Sequence, residues 1–529
     1  MGIAVNPVLR GFNPDPSIVR VGDDYYIATS TFEWFPGVQI HHSKDLINWE
    51  VVAQPLNRVS QLDMRGVPDS GGVWAPCLSW CDGLFYLIYT NSHTKDRLKD
   101  THNYLVTCDR VDGQWSEPVY INSYGFDPSL FHDTDGKKWV VTMETDFRDG
   151  VNRFSGILLQ EYDPMQKKCV GPAKKIFRGT SLEKTEAPHL YHIGNYYYLM
   201  TAEGGTEYGH AVTIARSQNI GGPYEVDPDN PMLTSMGKPD AYLQRAGHAS
   251  LVQLPDGQWI LAHLCGRPLK RNEKGEGYCV LGRETALQNV YFDEEGWLRL
   301  SGGGNAPYNE AEVPFEASRP KPVRKRYEFS PDEPLSMDFQ TLRVPLGEDV
   351  LSLKDRPGYL RIYGKESLLS QFTQALIARR QQAFCFEAVT AFEFEPDYFK
   401  QNAGMVYYYN TTQYYYLRIG HDEKIGGRML AVFSCDNGVY SEPFDYLKLP
   451  EEGTVYLKIE GDHETVRFYY SLDGVHYIQY GEDCNALRIS DEHIDGSAFT
   501  GAFVGICVQD MSGFSKYADF KFIEYIEKE

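Results

Sequence analysis

Hydrophobic positions along the chain come in short runs rich in Tyr, Val, Ile and Trp, almost nowhere at the 3.6-residue period of an amphipathic helix. Turn dipeptides punctuate the runs: Asp82-Gly83, Asp135-Gly136, Asp256-Gly257 and Asp473-Gly474. This pattern predicts an all-β chain built from hairpins. Before residue 300 the hairpins recur. A turn glycine followed within two to three residues by an aromatic and an apolar run occurs at Gly22, Gly83, Gly136, Gly194 and Gly257, with spacings of 61, 53, 58 and 63 residues. A second series runs in step just upstream: Asp15-Pro-Ser-Ile18, Ala75-Pro-Cys-Leu78, Asp127-Pro-Ser-Leu130, Ala187-Pro-His-Leu190 and His248-Ala-Ser-Leu251. Its closing Ile/Leu residues lie 60, 52, 60 and 61 apart. A weaker third element, at Ser43–Trp49 and Ser217–Tyr224, follows two of the turns. Two phased series over five units argue against chance recurrence. A period near 60 predicts one four-stranded blade per repeat, hence a five-bladed β-propeller over residues 1–300. A β-solenoid would repeat at a much shorter period.

The repeat stops at a polar stretch bracketed by Ser301-Gly-Gly-Gly304 and Pro320-Lys-Pro322, which reads as a linker over 301–327. Beyond it, segments beginning at Met405, Tyr414, Thr454 and Val466 alternate in the manner of strands and predict a separate β-sandwich over 328–529.

Composition narrows the partners. With 51 basic against 73 acidic residues the net charge is −22, which disfavours nucleic acid and anionic membranes. Aromatics make up 14%, led by 37 Tyr, and π-faces beside carboxylates suit sugars, although Tyr is also ordinary strand material. The ten cysteines show no CxxC pair and no Cys/His cluster at zinc spacing, so they read as free thiols in a reducing cytosol. Residues 1–10 lack the charged and apolar regions of a signal peptide, and no apolar run is long enough for a membrane span. The expected location is cytoplasmic.

In a propeller the innermost strands line a central channel, so the second repeat series names the channel residues: Asp15, Ala75, Asp127, Ala187 and His248, with Trp74 and Glu186 one position earlier. Three carboxylates from different blades at one end of a channel repel one another unless at least one holds its proton. That arrangement serves glycoside hydrolysis, in which one carboxyl protonates the leaving oxygen and another activates water. Each residue also has a plainer reading: Asp-Pro as a turn, His248 as a core histidine, Trp74 as core filler. Their shared register favours the functional one.

Several longer motifs resemble glycoside hydrolase family 43, and within it the β-xylosidase branch with a C-terminal β-sandwich of the concanavalin-like or jelly-roll kind. They are Gly11–Ile18, Ser30–Gly37, Asp69–Pro76, Gly125–Leu130, Thr185–Leu190, Ala202–Thr206, Gly247–Ser250 and Gly282–Thr285. The resemblance implies roles: Asp15 as general base, Glu186 as general acid, Asp127 as the acid that tunes and orients, Arg283 and His248 as substrate-side groups near them. It places Phe32, Trp74, Ala75, Phe126 and Thr206 around the terminal sugar, with Phe32 or Trp74 as the wall that excludes hexoses. It also implies a sandwich loop that closes the pocket with an aromatic, for which Met511-Ser-Gly-Phe514 makes Phe514 the candidate.

The implied activity is exo-acting and inverting: release of D-xylose from the non-reducing end of β-1,4-xylo-oligosaccharides, with side α-L-arabinofuranosidase activity. The alternatives are a chain that is mainly an α-L-arabinofuranosidase and a non-catalytic sugar-binding propeller. A fructosidase-type propeller would start with Trp-x-Asn-Asp-Pro-Asn-Gly and carry a Glu-Cys acid, against Phe12-Asn-Pro-Asp-Pro and Glu186-Ala here. The resemblance requires no cofactor. Some members hold Ca2+ or another divalent ion through a histidine matching His248, but no EF-hand loop or further ligand cluster stands in this sequence. Relatives in the family form dimers or tetramers.

Overall fold

The computed structural model describes residues 2–496, 498–513 and 515–528. Five four-stranded antiparallel sheets follow one another from Ser17 to Leu300, their innermost strands being Ser17–Val21, Gly72–Cys81, Ser129–His132, Glu186–Ile193 and Gln244–Gln253. The fourth sheet gains a short extra strand, Leu233–Thr234. This is the expected five-bladed propeller. The five repeat glycines all sit in the left-handed region, with φ between 61° and 89°. A Cβ at any of them would meet nothing within 4 Å, so the backbone conformation selects glycine there and not a lack of space. At Asp82-Gly83 both residues have positive φ, 52° and 80°, the type I′ turn that matches strand twist.

In three of the five blades the residue before the repeat Ile/Leu is a serine that also has a job. Ser17 Oγ accepts from Leu78 N at 3.0 Å, Ser129 Oγ donates to Pro188 O at 2.6 Å, and Ser250 Oγ accepts from Ile18 N at 2.9 Å while donating to Pro16 O at 2.8 Å. These hydroxyls bond neighbouring blades where their inner strands converge. Apolar cores fill the gaps behind them, as where Ile18 and Ile27 of the first blade meet Ile260 and Leu287 of the fifth. Gly2–Val5 pairs antiparallel with Glu310–Val313, and the Asn6 amide bonds Leu287 through both its backbone groups, holding the two ends of the ring together. Two short strands thus form in the polar stretch after the propeller, Glu310–Val313 and Arg324–Glu328, the latter pairing with Tyr517–Glu527.

The C-terminal region is a sandwich of a nine-stranded and a seven-stranded sheet. The smaller sheet, which contains Ala375–Arg380, Phe503–Asp510, Gln401–Asn410 and Gln413–Asp422, is buried on both faces. Met405, Tyr407, Leu417, Val504 and Ile506 point into the sandwich core. Val406, Tyr408, Tyr416, Phe503 and Cys507, one residue out of phase, join an apolar cluster with Phe12, Phe32, Trp34, Trp74 and Phe126 of the propeller. A sheet covered on both sides needs apolar residues at every position, which explains the unbroken tyrosine runs. The sandwich is therefore welded to the propeller. Trp34 stacks on Phe503 at 3.8 Å between ring centroids, and Trp34–Phe35 pairs as a strand with Thr341–Leu342. Among the described residues, no helix is long and apolar enough to cross a membrane.

Candidate active site

Four of the five channel positions share an uncommon backbone conformation. Asp15, Asp127, Ala187 and His248 have φ of 58°, 53°, 50° and 45°. A left-handed non-glycine residue costs about 1–2 kcal/mol, and clusters of them mark functional positions. In the fourth and fifth blades the turn falls where the strand register shifts, between Glu186 and His189 and between Gly247 and Ala249. Such bulges re-aim a side chain at a sheet end. The acid of the fourth blade, Glu186, stands one residue before the left-handed position, whereas the two aspartates occupy it.

Asp15 is the most heavily bonded of the three acids. Arg283 Nη1 lies 3.1 Å from its Oδ1, His248 Nδ1 3.5 Å from the same oxygen, and Ser30 Oγ donates to Oδ2 at 2.5 Å. Arg283 Nη1 also donates to Thr206 Oγ1 at 2.9 Å, and Nη2 donates to the Phe499 carbonyl at 3.2 Å. Its Nε is buried and has no hydrogen-bond partner among the described residues. Asp127 and Glu186 are buried carboxyls of a different kind. Burial pushes Glu186 up to about 8; Asp15 adds to the rise, while Arg283, Lys184 and Lys99 oppose it. Burial likewise raises Asp127, reinforced by Glu186 and Asp15. The Ala187 N–H and Arg283 oppose the rise of Asp127 without cancelling it, so the two carboxyls titrate as a pair that holds a proton between them. Burial, with help from Arg283, lowers the His248 pKa and keeps its imidazole neutral, although Asp15 pulls the other way.

Aromatic rings wall the space beside the acids. Phe32 lies 6.4 Å from Trp74, Trp74 meets Phe126 edge-on at 5.2 Å, and Ala75 is buried behind them. Two rings and a cation join this set that the repeat pattern had not singled out. Phe154 packs edge-on to Phe126 at 6.0 Å. Phe499 of the sandwich lies 5.9 Å from Phe32 and 5.6 Å from the Arg283 guanidinium. Lys99 Nζ stands 5.2 Å over the Trp74 ring, its pKa lowered mainly by burial. Phe154 and Lys99 come from loops and outer strands that carry no repeat signal. Phe499 lies in Phe499-Thr-Gly-Ala-Phe503, just ahead of a strand whose first residue reaches the propeller. Phe514 lies outside the described residues.

A single loop residue couples this wall to the domain seam. Ser70, with φ of 60°, accepts from Trp74 Nε1 through its carbonyl at 3.0 Å and from Phe499 N through Oγ at 3.1 Å. Its own N–H donates to Glu33 Oε2 at 3.1 Å. Behind Glu33, Arg343 of the sandwich bonds Asp69 Oδ1 at 2.7 Å and the Val67 carbonyl at 2.7 Å, and Thr411 donates to Asp69 Oδ2 through both N and Oγ1.

The residues around His248 form a poor cage for calcium, which takes six to eight oxygens. His248 Nδ1 is already turned to Asp15, and its neighbours His189 and His210 offer imidazoles. Among the described residues, three ligand types converge within 4.8 Å only at Cys385, Asp462 and His463, in the sandwich.

Residues 4–298 match the model of glycosyl hydrolases family 43, and residues 326–526 match that of the β-xylosidase C-terminal concanavalin A-like domain. The chain is 52% identical to a β-xylosidase of Bacillus subtilis (strain 168), with 99% of both proteins aligned. It is 48% identical to xylosidase/arabinosidase 43B of Humicola insolens, over 98% of this chain and 97% of that one. A crystal structure of a xylan β-1,4-xylosidase from Bacillus halodurans C-125 superposes with a TM-score of 0.96 at 50% identity, covering 99% of this chain and all of the other.

Proposed function

The chain belongs to glycosyl hydrolase family 43, and from that premise we propose that it is an inverting exo-β-xylosidase that removes D-xylose from the non-reducing end of β-1,4-xylo-oligosaccharides. Glu186 protonates the glycosidic oxygen as the C1–O bond breaks. Asp15 takes a proton from a water that attacks C1 on the opposite face, so a β-linkage yields α-xylose. Asp127 helps hold the proton on Glu186 and orients it. Arg283 anchors Asp15 through Nη1 and offers Nε to a sugar hydroxyl. Phe32, Trp74 and Phe126 form the wall of the terminal-sugar subsite, Thr206 and His248 its polar side, and Phe499 covers it from the sandwich. The observation that carries the reading is the pairing of an acid raised to about 8, Glu186, with an arginine-bound carboxyl, Asp15, at one end of one channel.

The names of the relatives support the xylosidase reading, and that of the Humicola protein supports side α-L-arabinofuranosidase activity. Ten free cysteines suit a reducing compartment, and we place the protein in the cytoplasm, as a dimer or tetramer. The test compares aryl β-xyloside with aryl α-L-arabinofuranoside, with and without chelator. A higher kcat/KM on the xyloside, unchanged by chelator, is expected. A preference for the arabinofuranoside would reverse the assignment.

A further inference from the structure

Cys385, Asp462 and His463 meet on the nine-stranded sheet of the sandwich. Cys385 opens the strand Cys385–Glu393, Asp462 ends Val455–Asp462, and the two are direct antiparallel partners. His463 follows in the turn with φ of 52°, its N–H donating to the Phe384 carbonyl at 3.1 Å and its ring stacked on Phe384 at 5.9 Å. Cys385 Sγ stands 3.5 Å from Asp462 Oδ1 and 3.4 Å from His463 Nδ1, and these two are 2.9 Å apart. The thiol is half-buried, and the other two side chains are exposed to solvent.

We propose that this triangle is a binding site for one zinc-type divalent cation, with water as the fourth ligand. Zinc bonds of about 2.3 Å to sulfur and about 2.0 Å to nitrogen and oxygen put the ligand atoms of a tetrahedral ion roughly 3.3–3.6 Å apart. Both sulfur edges of the triangle already have that length. The third is shorter by about 0.4 Å than a zinc edge, because a hydrogen bond closes it; the ion replaces the bridging proton. Phe384 fixes the imidazole plane, and strand pairing fixes the thiol against the carboxylate, so the three donors need little ordering. Binding releases the thiol proton to solvent and moves the imidazole to its Nε2–H tautomer, with no change of oxidation state. A thiolate beside an imidazole selects zinc and similar ions over Ca2+ and Mg2+, which prefer oxygen.

Titration of the full-length protein with Co2+, followed by displacement with Zn2+, tests this. One equivalent of Co2+ should give thiolate-to-cobalt charge-transfer absorption that Zn2+ abolishes. Cys385→Ser should remove the band, and His463→Ala should weaken binding at least about tenfold, since even outer partners of a metal ligand are worth that much. Absence of the band in the wild type, or a band that survives Cys385→Ser, would overturn the proposal.

Discussion

Two buried carboxylate clusters lie on either side of the Phe32–Glu33 peptide bond, and each is answered by one arginine. In the channel, Asp15, Asp127 and Glu186 face Arg283; at the seam, Glu33 and Asp69 face Arg343. Both hold a carboxyl far above its usual value, Glu186 at about 8 and Glu33 at about 7, in each case through burial first and a neighbouring acid second. By electrostatics alone they look alike. They differ in what surrounds the acids. At the seam, Arg343 and Thr411 reach across from the other domain to Asp69 and the Val67 carbonyl. In the channel, the acids come from three blades and stand beside the aromatic wall of Phe32, Trp74 and Phe126; each arginine keeps one buried N–H without a partner among the described residues, Nε of Arg283 and Nη1 of Arg343. A raised pKa therefore reports buried like charges, as does an uncommitted arginine donor; the convergence of acids from three blades beside an aromatic wall distinguishes a site from a clamp.

The sharpest way to break this comparison is to neutralise one acid at a time. Asp15→Asn and Glu186→Gln should each lower kcat/KM on xylobiose by about 10³-fold or more while leaving thermal unfolding nearly unchanged. The wild type should lose activity above about pH 8, and Glu186→Gln should remove that fall while sparing substrates with good leaving groups. Near-wild-type turnover of xylobiose by either variant would dissolve the distinction between site and clamp.

Arg343→Met should do the opposite. It strands Asp69 and Glu33 in the seam, and the loss of one partner from a buried pair costs about 3–5 kcal/mol. Denaturant unfolding should show that loss, with turnover per folded molecule changed much less. A variant of normal stability with crippled turnover would make the seam cluster catalytic.

Phe499→Ala probes the place where the two clusters touch. Its backbone bonds to Ser70 and Arg283 survive, so only the ring is lost. We expect roughly a tenfold drop in kcat/KM, of the order of one buried aromatic contact, read from initial rates at low substrate. No change would remove the sandwich ring from the sugar pocket.

The smallest effect concerns Glu33. Its folded value lies above its ordinary one, so its contribution to stability is full below about pH 4.5 and is lost as pH rises through about 7. Glu33→Gln should remove that loss. The difference in Tm between variant and wild type should rise by on the order of 2 °C from pH 5 to pH 8. A difference independent of pH would mean that Glu33 is not protonated in the native seam.

The propeller was legible in the sequence because each blade repeats one local device. A left-handed glycine turn and the motif that opens at Asp15, Ala75, Asp127, Ala187 and His248 are set by neighbours in the chain, so they recur with the blade. For the same reason Asp15, Asp127, Glu186 and His248 could be named from register. The welded seam was not legible. Alternation in Met405–Asn410 predicts a strand, but only the packing shows that Val406 and Tyr408 cover the propeller while Met405 and Tyr407 fill the sandwich. Phe499 and Lys99 reach the site from segments without a repeat. The Cys385–His463 pair escaped a search for zinc spacing because strand pairing joins residues 78 apart in the chain.

The central claim is that Asp15 activates a water on the face opposite Glu186. The most direct measurement is the anomeric configuration of the first xylose released from xylobiose, followed by ¹H NMR before mutarotation. The account predicts α-xylose from the non-reducing residue at the earliest times. β-Xylose as the initial product would mean a covalent intermediate on one of these acids and would contradict it.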